Sequence, residues 1–324
     1  MAQDVDGPAP RDVLTGAALI FFCVLISMGI PLAGIFSYVL IPAPVLFYRL
    51  KLGRRLGAAI PAAAFLLLAA LSRDFSFRIF FTGELLLAGF VMGELLRLNL
   101  SIEKTALYAC VGIMGTGLAA ILFYSGVSSH SIYSLVSAYV SENLNFALEM
   151  MGEMDMPEDS RLEMIRSFEG MKAVLLRVLP GLAAVFVLFM VWANILTARV
   201  LLKARGIPHT DFGPLNLWKA PEFMVWAVIG CGIIVFIPMD PGNAVKTLCV
   251  NLLLILTAVY FFQGIAVISH FFERKKFSRG LKIFAFSMIA VWQALFFVVA
   301  GLGFFDLWAN FRKLETGESK KGGD

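Results

Sequence analysis

The sequence is poor in charged residues and lacks the side-chain clusters on which soluble enzymes depend. Asp, Glu, Lys and Arg make up 15% of the 324 residues, against about a quarter in an average soluble protein. It has three histidines and no H-E-x-x-H, Walker A or G-x-S-x-G motif. These absences argue against a metal centre, a nucleotide-binding loop and a serine hydrolase. We predict no metal and no cofactor, and enzyme activity is disfavoured.

Cysteine is also scarce. The four cysteines, Cys23, Cys110, Cys231 and Cys249, occur singly in apolar segments without C-x-x-C spacing. They are typical of small core residues rather than of disulfides or a zinc site. The net charge of +4 is modest, and we predict no nucleic-acid partner.

Apolar residues are abundant and occur in long blocks. They make up 59% of the chain, and each block approaches the ~20 residues that a helix needs to cross the hydrocarbon core of a bilayer. Because backbone groups in lipid must bond internally, each span is expected to be helical. The sequence therefore predicts an all-α, polytopic bundle of eight or nine spans in the lipid bilayer. The nine segments are 13–30, 32–48, 55–72, 79–97, 105–124, 173–198, 222–238, 244–268 and 283–305.

The distribution of Lys and Arg predicts the orientation. With the N-terminus inside, the inner loops hold 16 of the 27 basic residues and the outer regions hold 11. The positive-inside rule then predicts that the N-terminus lies on the cytoplasmic side of the membrane. The basic C-terminal region breaks this rule if nine spans are present, so the count stays open between eight and nine.

Residues 125–172, between the fifth and sixth spans, form a long acidic segment with eight acidic and three basic residues. We predict amphipathic helices at the outer surface, either as a lid or as a plain connection. Four parts follow along the chain. They are a cytoplasmic tail (1–12), a six-helix bundle that includes the acidic segment (13–198), a membrane hairpin with the last span (199–313) and a disordered polar tail (314–324).

Two carboxylates occur in the fourth span. Glu94 lies three residues before Arg97, and an i,i+3 pair at the interface would account for it. Glu84 is six residues beyond Arg78, about 9 Å deeper, and has no partner on its own helix. A hydrogen bond to a neighbouring helix and a ligand- or proton-binding role are both open. A small-xxx-small pair, Gly89 and Gly93, predicts a close helix contact on this span.

Three residues with side-chain amides within the predicted spans complete the candidate ligand-binding residues: Asn194, Asn251 and Gln263. Amides in membrane helices commonly bond neighbouring helices, and this interpretation competes with ligand binding. Asp306, at the end of the last span beside Arg312, has the position of an interfacial residue.

Three stretches of the C-terminal third carry a family resemblance: "LWKAPEFMVWAV", "IPMDPGNAVKTLCVNLLLILTAVYFFQGIAVISHFF" and "GLGFFDLWANFRK". Over residues 12–313 the chain resembles the YybS-like family of bacterial multi-pass membrane proteins. No family glutamate corresponds to Glu84. The matching positions, besides Asn251 and Gln263, are Trp218, Pro221, Trp226, Pro238, Pro241, Gly264, Gly303 and Asp306.

That family is distantly similar to the substrate-binding membrane subunits of energy-coupling-factor transporters. The resemblance implies a bundle that binds a small molecule and docks a partner membrane protein through a small-residue helix face, here "GAAIPAAA" at 57–64. We expect a transporter-type, small-molecule-binding subunit that works with a partner complex. The alternative is a non-catalytic membrane scaffold, and a third possibility is an intramembrane or lipid-modifying enzyme. A polar cavity at Glu84 would favour the first.

Overall fold

The computed structural model describes residues 10–29, 37–71, 77–152, 158–208, 210–240 and 242–312. Within these ranges the chain is helical and contains no strand. The predicted tail 314–324 and most of the predicted tail 1–12 lie outside them. The helices are α1 (Pro10–Gly29), α2 (Pro42–Leu71), α3 (Phe77–Leu96), α4 (Ile102–Ser128), α5 (Ile132–Gly152), α6 (Glu158–Ala204), a 3₁₀ turn (Leu215–Leu217), α7 (Met224–Phe236), α8 (Ala244–Arg274), α9 (Arg279–Val291) and α10 (Gln293–Ala309).

Several helices are long and apolar enough to cross a membrane, as the sequence predicts. Five segments in the described part of the chain meet this criterion, and α9 with α10 make a sixth if the bent pair is one span. An all-α, multi-pass architecture is thus confirmed, while eight or nine crossings stay a prediction. The five segments are Ser37–Ala70, Ile79–Leu96, Ile102–Ser128, Gly170–Ala204 and Ala244–Arg274.

Helix α2 reverses direction at Gly53. This residue has φ 84° and ψ −177°, a conformation that glycine adopts without a steric penalty. A Cβ atom on Gly57 would lie 2.6 Å from Arg49 Cα, whereas residues eight apart in a straight helix are about 12 Å apart. Two arms, 42–52 and 54–71, therefore fold against each other, so the candidate segment Ser37–Ala70 is not one straight crossing. The break lies in the basic segment between the predicted second and third spans.

Two compact units divide the chain. Unit 1 comprises the described residues of Met1–Ala138 together with Phe186–Asp211. Its core is built from apolar side chains of α1 to α4 and of the C-terminal part of α6, such as Ile20, Leu46, Met92, Ala109 and Ile195. Much of the apolar surface of α4 remains exposed, as expected of a helix that faces lipid.

Unit 2 comprises the described residues of Tyr139–Val185 and Phe212–Asp324. Helices α8 and α10 pack closely, and the 3₁₀ turn and α7 lie against α8. Around the buried ring of Tyr260, an apolar cluster forms with Ala220 and Val225.

Two predicted spans, the seventh and the ninth, differ from the observed helices, whereas the acidic segment agrees in being helical. The seventh span corresponds to α7, which has 13 residues, fewer than a crossing requires. The ninth is divided near Trp292, where the axes of α9 and α10 meet at 108°. The acidic segment 125–172 is largely helical, with α5 and the start of α6; its place at the outer surface stays a prediction.

Candidate functional site

The candidate site in unit 1 is centred on Glu84 of α3. Its side chain is half-buried, and Thr116 of α4 donates a hydrogen bond from Oγ1 to Glu84 Oε1 at 2.6 Å. Gly117 lies beside it and leaves the carboxyl group room, since a Cβ there would be 3.9 Å from Glu84 Cδ. Glu84 makes no ion pair with a described side chain. Its visible partner is thus a neutral hydroxyl on the neighbouring helix.

A cleft between α3 and α4 opens at this carboxyl group. It has a volume of about 70 Å³, less than half of the ~150 Å³ of an engineered cavity that holds benzene. Its walls are almost entirely apolar, and the rings of Phe80 and Tyr124 meet edge-on at 5.7 Å. The cleft is therefore not the polar cavity that would favour a transporter-type subunit, but it offers one carboxyl group to a small chemical group in apolar surroundings. The lining residues are Phe80, Phe81, Glu84, Gly117, Ala120, Ile121 and Tyr124.

The second carboxylate of this span, Glu94, pairs differently from the prediction. Its Oε1 lies 2.7 Å from Arg49 Nη2 and 3.5 Å from Arg54 Nε. The predicted partner, Arg97, is exposed and makes no ion pair with Glu94. The prediction was wrong because it considered one helix, whereas the reversal at Gly53 brings the α2 arginines to α3. Arg49 is 1% exposed, so Glu94 has a structural role.

The close helix contact predicted for Gly89 and Gly93 is present. A Cβ on Gly89 would lie 2.5 Å from Pro42 O, and one on Gly93 would lie 2.7 Å from Arg49 Cγ. Both glycines therefore permit the first arm of α2 to pack directly on α3. This packing also holds the aliphatic part of Arg49 in place beside Glu94.

Asn194 of α6 is fully buried in unit 1 and is not among the residues that line the cleft. Its Nδ2 donates to Val39 O and to Met190 O, both at 2.7 Å. Its Oδ1 is buried and has no hydrogen-bond partner among the described residues. Asn194 fixes α6 to the chain just before α2, and the structure does not bring it together with Glu84.

Asn251 of α8 bonds the backbone of α6 in unit 2, next to Pro180. Gly181 N donates to Asn251 Oδ1 at 2.6 Å, and Asn251 Nδ2 donates to Arg177 O at 2.9 Å. In a regular helix this N–H and this C=O bond each other. The amide thus satisfies backbone groups at the proline, where helices commonly need such support. Each end of the side chain has a partner, which favours the helix-bonding interpretation.

Gln263, Asp306 and Arg312 form a buried polar network in unit 2. Arg312 Nη2 donates to Asp306 Oδ2 at 2.6 Å, and Gln263 Nε2 donates to the same oxygen at 3.2 Å. Arg312 Nη1 donates to Asn216 O and Trp218 O, and Ala220 N donates to Gln263 Oε1. The side chains of Arg312 and Asp306 are 0% and 3% exposed. Asp306 is therefore a buried ion-pair partner of Arg312, and its place at the membrane interface stays a prediction.

Two glycines permit this network to form. A Cβ on Gly264 would overlap Val299 O, and one on Gly303 would overlap Tyr260 O. The backbones of α8 and α10 therefore approach closely at these positions, as in small-residue crossings of membrane helices. The crossing places Asp306 beside Gln263.

The other positions of the family resemblance have varied surroundings. The Trp218 carbonyl accepts a hydrogen bond from Arg312 Nη1. Pro221 O accepts a hydrogen bond from Met224 N, the first residue of α7. Trp226 is 75% exposed, and Pro238 is also exposed. Pro241 lies outside the described residues.

These features define a multi-pass helical membrane protein with buried polar groups that join its helices. The chain belongs to the family described as "Predicted membrane protein (DUF2232)", whose model matches residues 18–307. No curated protein and no solved structure matches the chain significantly. This family description carries neither the YybS-like name nor a likeness to energy-coupling-factor subunits.

Two partner side chains, Thr116 and Arg49, escaped prediction from the sequence, and Arg312 was noted only as a neighbour of Asp306. Thr116 lies between glycines in an apolar span, and a hydroxyl in such a place is a weak signal. Arg49 belongs to a basic loop, where arginines are expected for orientation alone. Arg312 has a clearer signal, since it follows Asp306 by six residues beyond the end of an apolar helix.

Proposed function

We propose that this protein is a small-molecule-binding membrane subunit that recognises its ligand at Glu84. The observation that carries the proposal is a half-buried carboxyl group whose visible partner is the Thr116 hydroxyl, at the edge of a cleft. Ionisable groups inside membrane segments are costly and are usually retained for function. Asn251 and Gln263 bond the protein itself at both ends of their amides, so they support the helix arrangement in this account.

The ligand class follows from the cleft. A carboxyl group accepts hydrogen bonds and attracts cations, and aromatic rings such as Phe80 and Tyr124 stabilise a cation near their faces. A cleft of about 70 Å³ admits a small head group and leaves the rest of the ligand outside. We therefore propose a small amphiphilic amine, with its ammonium group at Glu84.

The wider setting is part of the same proposal. The protein crosses a bacterial inner membrane eight or nine times with its N-terminus in the cytoplasm, which the excess of Lys and Arg in the predicted inner loops supports. It delivers its ligand to a partner complex, as a transporter-type subunit does. Support for transport is limited to a fold-level analogy with energy-coupling-factor subunits, suggested by the YybS-like resemblance.

A second candidate function is a non-catalytic scaffold, and the second arm of α2 favours it. Ala59, Ala62 and Ala63 are exposed on one side of this arm, whereas Ile60 and Pro61 are buried. Small residues permit close approach of another membrane helix. In this alternative the exposed alanines hold a partner membrane protein, and the cleft at Glu84 has no ligand.

Thermal-shift screening of the purified full chain tests the proposal. The panel contains primary amines, their alcohol isosteres, vitamins, nucleobases and lipids, and compares the wild type with Glu84→Gln and Thr116→Val. A ligand at 100 times its dissociation constant stabilises the folded state by about 2.7 kcal/mol. We expect amines to raise the melting temperature of the wild type and not of Glu84→Gln.

The scaffold alternative predicts a different outcome. No compound would shift the melting temperature of any variant, and a partner protein would co-purify with the wild type. Replacing Ala62 and Ala63 by leucine would then remove that partner, whereas Glu84→Gln would leave it bound.

A further inference from the structure

Helix α9 has an unusual environment for a helix in a membrane protein. None of its 13 residues is buried, although apolar residues such as Leu281 and Phe284 predominate in it. It contacts α8 through an aromatic pair, since the ring of Phe286 lies 5.7 Å from that of Phe272. Phe272 is close to the C-terminal end of α8 at Arg274. Helix α9 therefore lies at an end of a membrane-spanning helix.

The direction of α9 agrees with this position. Its axis and that of α10 meet at 108°, so the two are within about 20° of perpendicular. Helix α10 packs along α8 at Gly264 and Gly303. Helix α9 is thus nearly perpendicular to the membrane-embedded α10 and lies at the end of α8. A helix in this position runs along the bilayer surface.

The sequence of α9 is amphipathic. Leu281, Phe284, Met288 and Val291 follow each other at spacings of three and four residues and so share one side of the helix. Phe284 is 63% exposed and Val291 is 85% exposed. The cations Arg279 and Lys282 lie on another side. Such a helix binds in the plane of a membrane interface, with its apolar side toward the acyl chains.

The cations of this region have no anionic partner among the residues that the structure describes. The basic segment, residues 274–282, contains five cations and no acid, and none of them makes an ion pair with a described carboxylate. The adjacent acid, Glu273, accepts a hydrogen bond from Asn216 Nδ2 at 2.5 Å. In addition, cations in the first turn of a helix oppose its dipole unless an anion is near. The five cations are Arg274, Lys275, Lys276, Arg279 and Lys282.

We infer that the basic segment and α9 bind the anionic phospholipid head groups of one membrane leaflet. The apolar side of α9 enters the outer part of the acyl region, and the basic segment contacts lipid phosphates. Clusters of four to eight cations beside a membrane helix or on an amphipathic helix attract anionic lipids in this way. The inference does not depend on the proposed ligand of Glu84.

A lipid-binding measurement on the full chain tests the inference. The detergent-purified protein is titrated with phosphatidylglycerol or phosphatidylcholine of identical acyl chains, and bound lipids are counted by native mass spectrometry. The test variant carries Lys275→Gln, Lys276→Gln, Arg279→Gln and Lys282→Gln. The matched control carries Gln at four other exposed cations, Arg97, Lys104, Lys203 and Arg205.

We expect the wild type and the control to bind phosphatidylglycerol at least tenfold more tightly than phosphatidylcholine, on the basis of roughly fivefold per cation near the surface. The test variant is expected to lose most of that preference without a change in melting temperature, because α9 buries no residue. Equal binding of both lipids by the wild type would overturn the inference. If the control lost the preference for phosphatidylglycerol as fully as the test variant, the inference would also be overturned, since cations elsewhere on the protein would then have the same effect.

Spin labels on a cysteine-free background give a second, independent measurement in phosphatidylglycerol liposomes. A label at Phe284→Cys is expected to be accessible to oxygen, which partitions into lipid, and one at Lys282→Cys to a water-soluble nickel chelate. If both labels contact water, α9 does not bind the membrane. If position 284 is shielded from both reagents, another protein or a second copy covers it, and the inference fails.

Discussion

Removing the carboxylate of Asp306 is expected to be among the most destabilising single changes in unit 2. Asp306→Ala leaves the guanidinium of Arg312, whose side chain is 0% exposed, without its anion. Breaking a buried ion pair by removing one partner costs about 3–5 kcal/mol. Arg312 keeps its bonds to the carbonyls of Asn216 and Trp218, so we expect a value near the lower limit, about 3 kcal/mol.

The assay is thermal unfolding of the purified protein in detergent, followed by intrinsic fluorescence. A loss of about 3 kcal/mol corresponds to a fall on the order of 5 °C in melting temperature. The double variant Asp306→Ala/Arg312→Met removes both charges, and it should melt above the single variant because no unpaired buried charge remains. Asp240→Ala, at an exposed acid of the α7–α8 connection, is the matched control and should melt like the wild type.

Two results would refute this reasoning. If Asp306→Ala melted like the wild type, the network of Gln263, Asp306 and Arg312 would not hold unit 2 together. If the double variant melted below the single one, the cost would come from lost packing or lost carbonyl bonds and not from an unpaired charge.

Three further predictions concern helix contacts. Gly264→Leu should abolish the folded protein, because the new side chain would overlap the backbone of α10. The control Gly301→Ala should be tolerated, because a Cβ there has no atom within 4 Å. Size-exclusion chromatography distinguishes a folded from an unfolded variant, and equal profiles would contradict the close crossing. Asn251→Leu should cost about 2 kcal/mol, because the hydrogen bonds to Gly181 N, Arg177 O and Thr247 O are lost at ~0.6 kcal/mol each. The cost is measured as a lower melting temperature, and an unchanged melting temperature would contradict the support that Asn251 gives to α6. Glu94→Ala should destabilise unit 1 by about 3 kcal/mol, because it leaves the buried Arg49 without its anion. Arg97→Ala should change stability by less than about 0.5 kcal/mol. Equal effects of the two variants would instead support the Glu94–Arg97 pair predicted from the sequence.

Length and hydropathy were sufficient to predict a helical, multi-pass protein, because a bilayer permits few other solutions for long apolar blocks. The position of the basic loop at residues 49–55 was predictable for the same reason. Gly53 supplies the left-handed conformation at which the chain reverses, and a glycine between charged residues signals such a turn. The division of the last predicted span near Trp292 was not predictable, because the hydropathy of α9 and α10 is continuous along the sequence.

Helix contacts were predicted correctly where they follow from the spacing of small residues. Gly89 and Gly93 signalled a close contact correctly, since their spacing defines one helix face. The partner of Glu94 was assigned wrongly to Arg97, because partners across helices depend on the tertiary arrangement. For Glu84 the absence of a partner on its own helix was apparent from the sequence, but Thr116 was found only in the structure.

The most direct test of the central claim is an affinity measurement at Glu84. The ligands are the primary amine that gives the largest thermal shift and its alcohol isostere. Their equilibrium binding is measured with the wild type, with Glu84→Gln and with the control Glu142→Gln, which changes an exposed acid on α5. Hydrogen bonds to charged groups contribute about 1.5–3 kcal/mol, so the amine should bind the wild type and the control at least tenfold more tightly than the alcohol. In Glu84→Gln this preference should disappear. If the wild type binds amine and alcohol equally, or if Glu84→Gln keeps the preference, the claim that Glu84 recognises the ligand is contradicted.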